Sequence, residues 1–198
     1  MKYLVVLFAL ALLIAGCSGG KQVTRLDPNT QTDLSGNWND TDSRLVAEEM
    51  IKDCLSRPWL TDFAAAHGAK PVVTVGTIEN LSHEHINTET FIADFERELI
   101  NSGSVRFVAA KAWRDEIRAE RQEQQEFASR ETMKQMRNET GADFILQGTV
   151  KSIVDQEGGK QAVFYQTDLE LVNIETMEKV WIGQKQIKKG ISQGKTKW

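Results

Sequence analysis

The sequence predicts an α+β fold, a two-layer sandwich in which a mostly antiparallel sheet carries helices on one face. Three observations predict it. Apolar residues recur at helical spacing through the first two thirds of the chain, the mark of amphipathic helices. From Ala142 onward the spacing changes to simple alternation over three long segments, which marks strands with one buried face. Within those segments the two alternating sets differ in polarity, so only one side of the sheet needs a helical cover.

The chain opens with Lys2 and an almost uninterrupted apolar run over residues 4–14. A bilayer-spanning helix needs about 20 apolar residues, whereas a shorter run followed by small residues is a cleavable export signal. The small residues are Ala15 and Gly16, ahead of Cys17. The string Leu13-Ile14-Ala15-Gly16-Cys17 resembles the lipobox of bacterial lipoproteins, in which the cysteine thiol receives diacylglycerol and becomes the new N-terminus. That resemblance implies a signal peptide over residues 1–16, lipidation at Cys17 and a membrane held through that lipid. Acyl chains anchor by burying methylenes, each contributing about 0.8 kcal/mol. Ser18, where enteric sorting would read an aspartate as an inner-membrane signal, fits the periplasmic side of the outer membrane. Residues 17–37 are polar, contain Gly19, Gly20 and Pro28, and lack an apolar period. They read as a tether that reaches about 25 Å as a relaxed coil. Residues 38–198 are then one globular domain.

The first helix begins in the cap-forming cluster 40–43 and carries Val46, Ala47, Met50, Ile51, Cys54 and Leu55 on one side. Pro58 suits the first turn of a short second helix holding Leu60, Phe63 and Ala64, with Gly68 as its stop. Residues 71–78 form a strand, because Val72, Val73, Thr74 and Val75 are β-branched. Asn87 caps a third helix whose stripe is Phe91, Ile92, Phe95 and Leu99, ended near Gly103. A short strand follows at 105–108. A fourth helix over 111–125 is expected to bury Trp113 and Ile117. A fifth, from Ser129 to a stop at Gly141, is expected to turn Met133 and Met136 inward. The third to fifth helices are assigned to the covered face. Strands at 143–155, 161–174 and 179–189 make an antiparallel meander, with turns at Gly158-Gly159 and at 175–178.

Charge narrows the partners. Removal of residues 1–16 leaves 23 of the 24 basic residues against 28 acidic ones, a net of −5, so nucleic acid is not expected. The basic cluster Lys185, Lys188, Lys189, Lys195 and Lys197 reads as a solvated strand edge and tail, where lysines discourage pairing with other chains. With Cys17 lipidated, Cys54 is the only remaining thiol and falls on an apolar helix face, where an inert cysteine is expected.

Catalytic patterns are poor. His83-Glu84-His85 has metal-binding residue types but not the i, i+4 histidine spacing of a zinc helix, and reads as a polar loop. Gly190-Ile191-Ser192-Gln193-Gly194 matches G-x-S-x-G, yet a nucleophile elbow needs a helix after it and an acid and histidine later in the chain. Only four residues follow, and none is acidic or histidine. No catalytic residue, cofactor or metal is expected, and the chain reads as a non-enzyme.

The segment 33–43, Asp-Leu-Ser-Gly-Asn-Trp-Asn-Asp-Thr-Asp-Ser, resembles the lead into the first helix of LpoB-like lipoproteins. Residues 141–148, Gly-Ala-Asp-Phe-Ile-Leu-Gln-Gly, resemble that family's strand after the last helix, and Lys179-Val180-Trp181 its closing strand. The resemblance implies a TolB N-terminal-like fold and a non-enzymatic activator of a class A penicillin-binding protein, the peptidoglycan synthase of the cell wall. The enterobacterial members differ in having a long proline-rich tether. The residues alone also admit a periplasmic assembly or secretion lipoprotein of TolB-like or curli-channel-like type, bound to another envelope protein.

In the middle strand of the meander, Val163, Tyr165, Leu169 and Leu171 point one way and Phe164, Gln166, Asp168 and Glu170 the other. The second set, with Trp181 from the next strand, is the expected partner-binding surface, because an aromatic among polar groups is the composition of an interface hot spot and its rim. Trp38 is expected to dock on the fold rather than hang in the tether.

Overall fold

The structure, a computed structural model, describes residues 23–28 and 30–192. The export signal, Cys17, Gln193, Gly194, Lys195 and Lys197 lie outside the described residues. Residues 23–28 and Thr30 hold no helix or strand, and the Thr30 N–H donates to the Asp27 carbonyl at 2.9 Å.

From residue 31 on, the described chain runs α1 (Asp40–Leu55), α2 (Pro58–His67), β1 (Val72–Leu81), α3 (Thr88–Asn101), β2 (Arg106–Phe107), α4 (Lys111–Phe127), β3 (Phe144–Glu157), β4 (Lys160–Asn173) and β5 (Lys179–Ser192). Local chemistry sets the helix starts. Asn39 closes a capping box on α1: its side chain accepts from the Asp42 N–H at 3.1 Å, and Asp42 Oδ2 accepts from the Asn39 N–H at 2.9 Å. Pro58 opens α2, and Asn87 accepts from the Glu89 and Thr90 N–H groups to cap α3.

The sheet has the order β2-β1-β3-β4-β5. β3, β4 and β5 form the expected antiparallel meander, and the two hairpins run on to Glu157 and Ser192. The other two contacts are parallel, β1 with β2 and with β3, so the sheet is mixed. Parallel neighbours need a crossover, and residues 82–143 supply it. The core lies between the sheet and two helices. Val46, Ala47, Met50, Ile51 and Cys54 of α1 and Phe91, Phe95 and Leu99 of α3 bury against Val73, Val75, Val150, Leu169 and Leu171. α2 closes one end, where Trp59 and Phe63 meet Phe144 at centroid distances of 5.1 and 5.5 Å.

Three expectations fail in this region. α4 does not bury Trp113 and Ile117; Trp113 is 63% exposed and Ile117 is exposed as well. It is held instead by polar contacts: Arg118 and Arg121 pair with Glu139, and Gln124 and Gln125 bond the backbone of Lys134. The fifth helix is absent, since residues 129–141 are turns and irregular chain with Met133 half-buried, Met136 exposed and Arg137 at φ 64°. Two methionines offer too little apolar surface to hold a short helix, whose stability comes from packing. The face is therefore covered by α1 and α3 rather than by the third to fifth helices.

Candidate functional site

Residue parity in the meander sorts every side chain to a face. Val163, Tyr165, Leu169 and Leu171 are buried under the helices, while Phe164, Gln166, Asp168 and Glu170 are half-buried on the open side. Register extends the open side across the neighbours. Phe164 sits between Ile153 and Lys188, Gln166 between Lys151 and Gln186, Asp168 between Thr149 and Gln184, and Glu170 between Gln147 and Ile182.

The middle of this face is a lattice of fixed polar groups. Lys151 Nζ donates to Asp168 Oδ2 at 3.0 Å, Gln184 to Asp168 Oδ1 at 3.0 Å, and Gln166 to both oxygens at 2.9 and 3.0 Å. Gln186 donates in turn to Gln166 and Gln184. Burial alone would raise the Asp168 carboxyl, but the donors from Gln184, Gln166 and Lys151 outweigh it and hold the group below its ordinary value. Glu170 is held low by Lys179 at 2.5 Å and by Gln147 at 2.7 Å. Apolar groups flank the lattice: half-buried Phe164 with exposed Ile153 and Leu81 toward one end, exposed Ile182 at the other. A shallow concavity of about 400 Å³ opens on this face among Thr77, Glu79, Gln147, Thr149, Asp168 and Glu170.

Trp181 does not belong to this surface. It pairs with Leu171 on the covered face, is only 5% exposed, and donates its indole N–H to Asp53 Oδ2 of α1 at 2.8 Å. Its ring lies across Gly183, where an added Cβ would come within 2.2 Å of the indole.

On the covered side the structure joins residues far apart in sequence. Trp38 stands T-shaped against Phe91 and Tyr165 at 5.9 and 5.5 Å, and its indole donates to Ser43 Oγ at 2.8 Å. Glu84 accepts from the Trp38 N–H at 3.0 Å and from the Tyr165 hydroxyl. Burial first, and then the Glu84 carboxylate, push the Tyr165 phenol well above its ordinary value. Lys189 is half-buried and ion-paired where a solvated edge residue was expected. Its ammonium donates to Asp33 at 2.8 Å, to the Asn37 carbonyl at 2.9 Å and to Asp42 at 2.5 Å. Lys189 and Asp42 keep only 10% and 7% of their side-chain surface.

Among the described residues the groups nearest in type to a reaction centre are committed to structural bonds. His83 Nδ1 lies 2.6 Å from Ser152 Oγ, and its Nε2 is 3.6 Å from Glu84 Oε1. That trio has the residue types of a nucleophile, base and acid. However, Ser152 Oγ also accepts the His83 backbone N–H at 3.1 Å, and both Glu84 oxygens are engaged by Tyr165 and Trp38. The trio pins the loop to β3. Among the described residues no group of three or more His, Cys, Asp or Glu could hold a metal ion. Cys54 is buried, and its thiol is pushed up to about 12 by that burial, which leaves it unreactive. Gly190-Ile191-Ser192 is the end of β5, not a strand-to-helix elbow.

Comparison with known proteins follows this geometry. Residues 42–187 match the family described as "Peptidoglycan-synthase activator LpoB", a span from the first turn of α1 into β5. No curated protein matches the chain in sequence. Among solved structures the chain is similar to the LpoB C-terminal domain from Salmonella enterica, at 17% identity over 69% of this chain and 94% of that one, with a TM-score of 0.33. It is also similar to the lipoprotein GNA1162 from Neisseria meningitidis, at 14% identity over 61% and 83% of the two chains, TM-score 0.41. The NMR structure of E. coli LpoB is matched at 14% identity over 91% and 84%, TM-score 0.36.

Proposed function

The chain belongs to the LpoB family of peptidoglycan-synthase activators, and from that premise we propose that it is an envelope lipoprotein that binds a class A penicillin-binding protein and raises its synthetic rate without catalysing a step itself. Lipid on Cys17 holds it at the periplasmic side of the outer membrane, residues 17–37 serve as tether, and residues 38–198 do the binding. Among the described residues no helix is long and apolar enough to cross a membrane.

The observation that supports the binding surface is the open face of β3, β4 and β5. Phe164, Ile153 and Leu81 offer apolar contact beside Gln166, Asp168 and Glu170, whose partners fix them before any complex forms. Side chains already held in place lose little rotational freedom on binding. Activation needs only a difference in affinity: a protein that binds the active form of a synthase tenfold better than its resting form shifts that equilibrium by about 1.4 kcal/mol.

The test is capture of purified class A penicillin-binding proteins of the same organism on the immobilised processed chain. Specific retention of one of them, lost with Phe164→Ala while that variant stays folded, is the expected result. Retention of none would overturn the reading.

A further inference from the structure

Among the described residues β5 forms one edge of the sheet over its whole length, Lys179–Ser192, with β4 on one side only. On the opposite side β2 covers only Val72 and Val73 of β1, and the rest of β1 is interrupted by the register shift between Val75 and Ile78. Which backbone groups of β5 face outward follows from the preceding hairpin. Gly158 and Gly159 have φ of 55° and 79°, the positive pair that a two-residue turn needs, and the flanking Glu157 and Lys160 then exchange both hydrogen bonds. Bonded pairs alternate along antiparallel strands. Even-numbered residues of β4 therefore bond to β3, and odd-numbered ones such as Tyr165 and Thr167 bond to Ile187 and Lys185 of β5. That leaves the N–H and C=O of Ile182, Gln184, Gln186 and Lys188 directed away from the sheet. Among the described residues no turn, loop or cap bond reaches them.

A trough follows this edge between β5, α1 and the lead-in segment, in two stretches of about 610 and 540 Å³. Leu45 and Ile187 give it apolar lining, and the Lys185–Glu49 ion pair crosses it. On the other side of the edge Lys188 is exposed, with no acidic partner among the described residues. We propose that the free edge of β5 receives an extended segment of a partner protein as an added strand. That segment alternates acidic side chains, set against Lys188, with apolar ones set against Leu45 and Ile187.

Charge selects this occupant over a second copy of the chain. Two-fold pairing of β5 with itself centred on Lys185, Ile187, Lys188 or Lys189 sets lysine against lysine, which lysines on edge strands are suited to prevent; centring on Gln186 alone in that stretch avoids it. An acidic segment meets the opposite sign at Lys188, the lysine of this edge that has no ion pair among the described residues. The inference stands whichever envelope protein supplies the strand, so it can fail without the proposed function failing.

The experiment titrates the processed chain, labelled with nitrogen-15, with an acetylated and amidated octapeptide of alternating Val and Glu. Two further peptides carry N-methyl groups on one or the other set of alternate residues, and a fourth replaces Glu with Lys. Strand addition uses the backbone of every second residue. Saturation should slow hydrogen exchange about tenfold at the Gln184, Gln186 and Lys188 amides. One N-methyl set should weaken binding at least about tenfold while the other leaves it within about twofold, and the Lys peptide should bind about tenfold more weakly. Lys188→Pro removes an outward N–H from an edge, where proline is tolerated, and should abolish binding; Phe164→Ala should not. Unchanged exchange at those amides, equal binding of both N-methyl peptides, or binding of the Lys peptide as tightly as the Glu peptide would overturn the proposal. So would a sedimenting dimer in which the same amides are already protected.

Discussion

At Lys189 one ammonium is drawn out of water and given three acceptors, Asp33, the Asn37 carbonyl and Asp42, from a stretch of chain some 150 positions away. Burial would lower its pKa, but the bonds to Asp33 and Asp42 outweigh that and raise it. Its contribution is thus complete below the ordinary lysine range and is lost only as pH climbs through the raised value. Lys189→Met leaves Asp42 buried without its partner and should cost about 3 to 5 kcal/mol in a urea melt. Asp33 works in the other direction. Lys189, Gln31 and Asn39 hold its carboxyl down to about 2, so its contribution is present above about pH 4 and disappears as pH falls from there through about 2. Acid unfolding followed by circular dichroism should show that loss in the wild type and a smaller one in Asp33→Asn. Neither role was legible in the sequence, where Lys189 is one of a run of lysines and Asp33 lies in a polar lead. Long-range ion pairs leave no periodic trace. Phe164 was legible, because strict alternation assigns it to the open face. Being half-buried there, Phe164→Ala should cost less than the ~3 to 5 kcal/mol of a core phenylalanine while weakening synthase binding by at least about 2 kcal/mol. Thermal melts and calorimetric titration separate the two effects.

α3 and α4 make a contrast at the scale of the element. Both carry apolar residues at helical spacing, yet Phe91, Phe95 and Leu99 of α3 are buried while Trp113 and Ile117 of α4 are exposed. Periodicity identifies an amphipathic helix but not the surface it meets, and α4 has too few apolar positions to displace α1 from the sheet. Phe91→Ala should therefore cost about 3 to 5 kcal/mol, whereas Trp113→Ala and Ile117→Ala should each stay within about 0.5 kcal/mol in the same denaturant assay. The strands were read almost to their ends because alternation is set by the pleat itself. Parallel pairing of β1 with β3 was not, since nothing local to either strand records its neighbour. The same gap placed Trp181 on the wrong face: its register with Leu171 fixes the ring under α1.

At the scale of the molecule, among the described residues, one face of the sheet is spent on α1 and α3, and the other is open with its polar groups bonded to one another. A fold built this way presents a ready surface, in keeping with a family of activators. The glycan polymerisation rate of the organism's class A penicillin-binding protein, measured with and without the processed chain, tests this most directly. The wild-type chain should raise that rate several-fold and saturably, and Phe164→Ala should not, while melting within a few degrees of the wild type. An unchanged rate with the wild-type chain, or full stimulation by Phe164→Ala, would contradict the account.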